Sequence, residues 1–144
     1  MLFRRAFLAG SVAWVAAIPL AAYVASRQDG SSVAYALALG VYGIGHVVCH
    51  QIPQRSFHLW MTSLPVCARC TGIYIGAAVT AIALRGRFVA PRWNPKIVLL
   101  AAFVPTAATL VFEWTTGVMP SHWIRAAAGL PLGVAVAWAI GMVN

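Results

Sequence analysis

The chain has 144 residues, 62% of them hydrophobic and 8% charged, with Asp29 and Glu113 as its two acids. A water-soluble domain carries roughly 25% charged residues, so a globular surface in water is excluded and lipid is the expected solvent for most of the chain. The net charge of +8 does not indicate nucleic acid, because the Lys and Arg residues lie in short segments between apolar runs rather than on a basic helix or an aromatic–basic stripe. Basic residues beside apolar spans are what headgroups and the positive-inside rule select.

The length suits one compact bundle and no second domain. The expected fold is an all-α integral membrane bundle of about five helices, a single domain over residues 1–144. Residues 1–32 form an anchor helix and turn, and residues 33–144 form a core.

The first apolar run covers residues 6–25, preceded by Arg4 and Arg5. It is long for a signal-peptide core and no clean cleavage site follows, so it reads as an uncleaved anchor, with Pro19 a candidate kink. Residues 27–32 are a polar turn. Residues 33–48 form a second run, short for a span and containing Gly40, Gly43 and Gly45, so a half-length or re-entrant element is the alternative. Residues 49–69 are the least lipid-like stretch. A third span is expected over 64–84, a basic loop over 85–96, a fourth span over 97–113, a turn over 115–121 and a fifth span over 123–143.

Trp60, Trp93, Trp114 and Trp123 fall near span ends, as an aromatic belt requires. Gly129, Gly133, Ala137 and Gly141 make a small-residue stripe on the fifth span, and Gly72 with Gly76 do the same on the third. Such stripes let helices approach closely inside the bundle, with homo-oligomer contact as the alternative use. Glu113 and Arg125 flank the last turn. They read as headgroup-level residues that snorkel, with an ion pair as the competing reading. His58 and His122 read as interfacial.

Five full crossings leave the basic residues tied. Arg4, Arg5, Arg55, Arg69 and Arg125 stand on one side, and Arg27, Arg85, Arg87, Arg92 and Lys96 on the other. If residues 33–48 do not cross, Arg4, Arg5, Arg85, Arg87, Arg92 and Lys96 share the cytoplasmic side and the cysteines face outward.

The chemistry is concentrated between His46 and Cys70. His46 and His50 are one helical turn apart if the second run stays helical, with Cys49 between them. Cys67 and Cys70 form a C-x-x-C. Three cysteines are no disulfide framework. Cys49, Cys67, Cys70 and either His50 or His46 supply the sulfur and nitrogen donors that tetrahedral zinc takes, and sulfur donors accept Cu(I) as well. Arg55 and Arg69 would offset thiolate charge or contact an anionic headgroup.

A second reading is thiol redox. A C-x-x-C at a helix N-terminus, with Arg69 between its cysteines, favours thiolate. It weakly resembles membrane disulfide oxidoreductases of the vitamin K epoxide reductase type, with Cys49 as a shuttle thiol beside Cys67 and Cys70, but lacks the second cysteine of their shuttle pair. A third reading is plain packing, since free Cys is often a small buried hydrophobe. A small transporter or lipid-binding protein is a further alternative, from the Gly- and Pro-rich helices near a polar cluster.

Cys49-His50-Gln51, Arg55-Ser56-Phe57 and Cys67-Ala68-Arg69-Cys70-Thr71-Gly72-Ile73-Tyr74, with Gly76, are similar to a C-H-Q, R-S-F/Y, C-A-R-C-T-G-I-Y-x-G signature. By these residues the chain resembles a family of small bacterial and archaeal membrane proteins, domain of unknown function 2085. The resemblance implies a multi-pass protein of a prokaryotic cytoplasmic membrane and strengthens the choice of site. It implies no activity.

Overall fold

The computed structural model describes residues 2–27, 30–84 and 93–142. Its helices are α1 (Leu2–Ser26), α2 (Ser32–Val48), α3 (Ala68–Ala83), α4 (Pro95–Thr116) and α5 (His122–Met142). A 3-10 turn at Pro53–Arg55 and a minimal antiparallel hairpin, β1 (His58–Leu59) with β2 (Thr62–Ser63), lie between α2 and α3. The all-α bundle is as expected, and α1, α4 and α5 are long and apolar enough to cross a membrane. Of the basic loop expected over 85–96, residues 85–92 fall outside the described residues, and α4 already begins at Pro95.

Local chemistry sets the boundaries. The Ser31 hydroxyl accepts from the Ala34 amide at the start of α2, and the Asn94 side-chain oxygen Oδ1 accepts from the Lys96 amide at the start of α4. Gly117 closes α4 in the left-handed region, at φ 67°. The third helix starts at Ala68, not at residue 64. Pro65 disfavours helical backbone at Leu64, whose amide instead donates to the Phe57 carbonyl as a continuation of the hairpin. The helical pairing expected of His46 and His50 is not formed either, because α2 ends at Val48 and Cys49 is extended.

The helix directions follow from their contacts. Trp14 of α1 meets Tyr74 of α3 edge to face at 6.0 Å, while Ile18 and Ala22 pack with Leu64 and Val66 just ahead of α3. These two helices are therefore antiparallel. α3 and α5 run parallel, with Gly72 against Ala126, Gly76 against Leu130 and Leu84 against Gly141. α4 returns antiparallel to α5, the Thr106 hydroxyl donating to the Ala128 carbonyl at 2.8 Å.

Gly129 and Gly133 abut the backbone carbonyls of Arg69 and Ile73, and a Cβ on either would collide with them. Ala137 is fully buried. The small-residue stripe is thus packed against α3 within the chain.

α2 stands apart from this core and packs mainly on α1. It begins where the Tyr35 hydroxyl meets the Arg27 carbonyl, beyond the end of α1, and it ends where Cys49 joins the cluster ahead of α3. The end of α1 and the start of α3 lie at one end of the bundle, so α2 leaves from and returns to that same end. Val33, Leu37, Leu39 and Val47 remain exposed along it.

Candidate metal centre

The cysteine end is built from four pieces of chain: the end of α2, the loop after it, the start of α3 and the α4–α5 turn. Gln51 ties the first three together. Its side-chain amide donates to the Tyr42 carbonyl and to the Pro65 carbonyl, each at 2.7 Å, and the residue itself sits at φ 48°. The Tyr42 hydroxyl adds a bond to the Ser63 carbonyl at 2.6 Å. Gly45 lies so close to Pro65 that a Cβ would strike its carbonyl. The C-terminus of α2 is thereby held against the strand that enters α3.

This brings Cys49 to the C-x-x-C. The sulfurs of Cys49, Cys67 and Cys70 all lie within 4.8 Å of one another. Each cysteine is half-buried and unbridged. Cys67 is the N-cap of α3, and its backbone amide donates to the Cys49 sulfur at 3.2 Å. The Cys67 thiol is held well below its ordinary value, chiefly by its hydrogen bond with Cys70; burial acts the other way and is outweighed. The positive end of α3 adds to the same preference for thiolate.

His50 lines a cavity of ≈ 330 Å³ together with the three cysteines, Arg55, Arg69 and Arg125. Among the described residues, no histidine nitrogen or carboxylate oxygen lies within that 4.8 Å of all three sulfurs. His46 is exposed on α2 and does not line the cavity. His58 is exposed on the hairpin. His122 bonds the Gln54 carbonyl through Nε2 at 3.1 Å and rests against the Phe57 ring, pinning the loop to α5.

Glu113 and Arg125 do not snorkel out to solvent as expected: they are buried and paired with each other. Their exposures are 7% and 2%, and Arg125 Nη2 donates to both carboxylate oxygens at 3.1 and 2.9 Å. A carboxylate this deep needs partners, and Glu113 has two more. Arg55 Nη2 lies 2.5 Å from Oε1, and Arg69 Nη2 lies 4.0 Å from Oε2 while also donating to the Thr109 hydroxyl at 3.1 Å. The cysteine end therefore carries three guanidinium groups around one carboxylate. The sequence motif had pointed to Arg55 and Arg69. It did not signal that Glu113 joins them or that Arg125 belongs to the same group.

Other motif positions also find their use at this end. Ser56 is fully buried and donates to the Ile52 carbonyl at 3.2 Å. Phe57 packs at 5.0 Å on Trp123, and the Thr71 hydroxyl closes back on the Cys67 carbonyl at 3.1 Å.

The chain belongs to the family described as predicted membrane proteins of domain of unknown function 2085, whose model matches residues 49–139. It is 40% identical over 63 residues to an uncharacterised protein of Methanocaldococcus jannaschii, a match that covers 44% of this chain and 40% of that one. It is 32% identical over 92 residues to an uncharacterised protein of Methanothermobacter thermautotrophicus, covering 62% of this chain and 81% of the other. The chain thus spans less than two thirds of the first relative and most of the second. No solved structure matches it.

Proposed function

We propose that this membrane protein holds a thiophilic metal ion, zinc first, at Cys49, Cys67 and Cys70. The observation that carries the reading is the meeting of three sulfurs from two separate chain segments within 4.8 Å. Zinc takes four donors in structural sites and three protein donors plus water in catalytic ones. His50 lines the same cavity and is the fourth donor in the closed form of the site. A site left open would instead present a metal-bound water to the cavity. His46, exposed on α2, is left without a role as ligand. Sulfur donors also suit Cu(I). The neighbouring guanidinium groups offset the negative charge of three thiolates.

The reading includes a placement. α1, α3, α4 and α5 make four passes, and α2 makes none. Arg4, Arg5, Arg85, Arg87, Arg92 and Lys96 then share one side, with Arg27, Arg55, Arg69 and Arg125 on the other, where three of the four surround Glu113. The positive-inside rule puts the first group in the cytoplasm. The metal centre faces the outside of a prokaryotic cytoplasmic membrane.

A second reading is thiol redox at Cys67 and Cys70. It is favoured by the lowered Cys67 thiol at the N-terminus of α3 and by an outward placement, where oxidising conditions are met.

Elemental analysis of anaerobically purified protein, with a thiol count on the same sample, separates the two. One equivalent of zinc or copper, lost in the Cys67→Ser/Cys70→Ser double variant, supports the metal centre. No metal, with reversible loss of two thiols on oxidation, supports redox and sinks the metal.

A further inference from the structure

The arginines around Glu113 carry more charge than that carboxylate can balance. Arg55, Arg69 and Arg125 against one Glu113 leave an excess of two positive charges. The group is largely withdrawn from solvent, with exposures of 36%, 14% and 2% for the arginines and 7% for the glutamate. Arg125 Nε and Nη1 and Arg69 Nε are buried without any hydrogen-bond partner. Unbalanced buried charge is strongly unfavourable, and buried guanidinium N–H groups left unpaired add to that cost.

The cysteines do not remove the excess. Zinc with three thiolates sums to −1, and three neutral thiols sum to zero. Either state leaves at least one positive charge at this end of the bundle. The same three arginines line the ≈ 330 Å³ cavity beside the sulfurs. Guanidinium groups, with their paired planar N–H donors, are matched to the oxygens of phosphate and carboxylate.

We propose that this cavity binds an oxyanion of the phosphate class, with Arg55, Arg69 and Arg125 as its cationic wall and Glu113 as the strut that holds them in place. The proposal rests on the arginine group and not on the metal reading. Inorganic phosphate and the headgroup of an anionic phospholipid share this chemistry, and the cavity sits at the bundle end where either has access.

The test is the melting temperature of the full chain in non-ionic detergent, followed by tryptophan fluorescence at constant ionic strength. Inorganic phosphate replaces chloride in one series; phosphatidylglycerol replaces an uncharged glycolipid in mixed micelles in the other. Each series is run on the protein as purified and after chelation. The expected result is a saturable rise in Tm that survives chelation. The apparent Kd should weaken at least roughly tenfold in Arg55→Gln and Arg69→Gln, as loss of a charge-assisted contact requires.

Arg55→Lys, which keeps the charge and loses the planar fork, should fall between wild type and Arg55→Gln. Arg55 is the most exposed of the three, so its variants should keep the fold, which the Tm without added anion checks. A response to inorganic phosphate identifies a free-anion site, and a response to phosphatidylglycerol alone identifies a headgroup site. No saturable rise in either series, or a rise unchanged in all three variants, overturns the proposal. Zinc retained without any phosphate response would overturn it while leaving the metal centre standing. A phosphate response in protein that contains no metal as purified would do the reverse.

Discussion

The α3–α5 seam and the cysteine end touch each other but are built on opposite plans. The seam contains almost no side chain. Gly72, Gly76, Gly129 and Gly133 let backbone meet backbone, and added methyl groups would collide with carbonyl oxygens. In lipid, where apolar surfaces gain little by meeting each other, such close packing is what holds helices together. The cysteine end is crowded with groups that lipid cannot solvate: three arginines, a glutamate and three thiols. The seam makes that crowding tolerable. The carbonyl of Arg69 abuts Gly129, so the helices that bear Arg69 and Arg125 have one register, and their guanidinium groups arrive at Glu113 together. Close backbone packing in the one region sets the geometry of the other.

The sharpest way to break this arrangement is Glu113→Ala. It strands three guanidinium groups and should cost about 3–5 kcal/mol, read as a loss of folded protein in a denaturant titration in detergent. If the variant unfolds like wild type, the arginines are balanced from elsewhere. Gly133→Val attacks the other region. Overpacking a backbone contact should cost about 1–3 kcal/mol or more and should also expose the cysteines to thiol reagents, since the seam sets their frame. A destabilised variant with unchanged thiol protection would show that the two regions are uncoupled.

Gln51→Ala should lie lower, at about 1–3 kcal/mol for the two carbonyls it leaves behind. Its effect should be concentrated on the alkylation rate of Cys49 rather than on global unfolding. Gly40→Ala belongs to neither region. Nothing lies within 4 Å of a Cβ placed there, and the helix should gain about 0.5–1 kcal/mol from the reduced freedom of the unfolded chain. A loss instead would mean that α2 has a neighbour that packs against Gly40.

Much of this was legible in the sequence, and what was missed has definite causes. Runs of apolar residues marked all five helices, and C-H-Q with C-x-x-C marked the three cysteines that meet. The shortness of residues 33–48 was visible in the sequence. The contact of Cys49 with the start of α3 was not, because no periodicity encodes it. The hairpin was hidden because its turn uses Trp60 and Met61 at φ 50° and 64°, where glycine or asparagine would have been the signal. Glu113 and Arg125 looked superficial because each lies within one turn of a helix end. They are buried because the loop bearing Arg55 and Phe57 folds over them, and loop placement is set by tertiary contacts such as His122 with Gln54. The small-residue stripes were read correctly as packing surfaces, since steric need leaves a mark that charge pairing over long separations does not.

The central claim is that Cys49 joins Cys67 and Cys70 in one metal centre. Cobalt titration of the metal-free protein under anaerobic conditions tests it most directly, because thiolate-bound cobalt absorbs light through sulfur-to-metal charge transfer. The account predicts a spectrum that saturates at one equivalent, with an intensity that falls in each of Cys49→Ser, Cys67→Ser and Cys70→Ser. A Cys49→Ser spectrum identical to wild type, or no charge-transfer band at all, would contradict it.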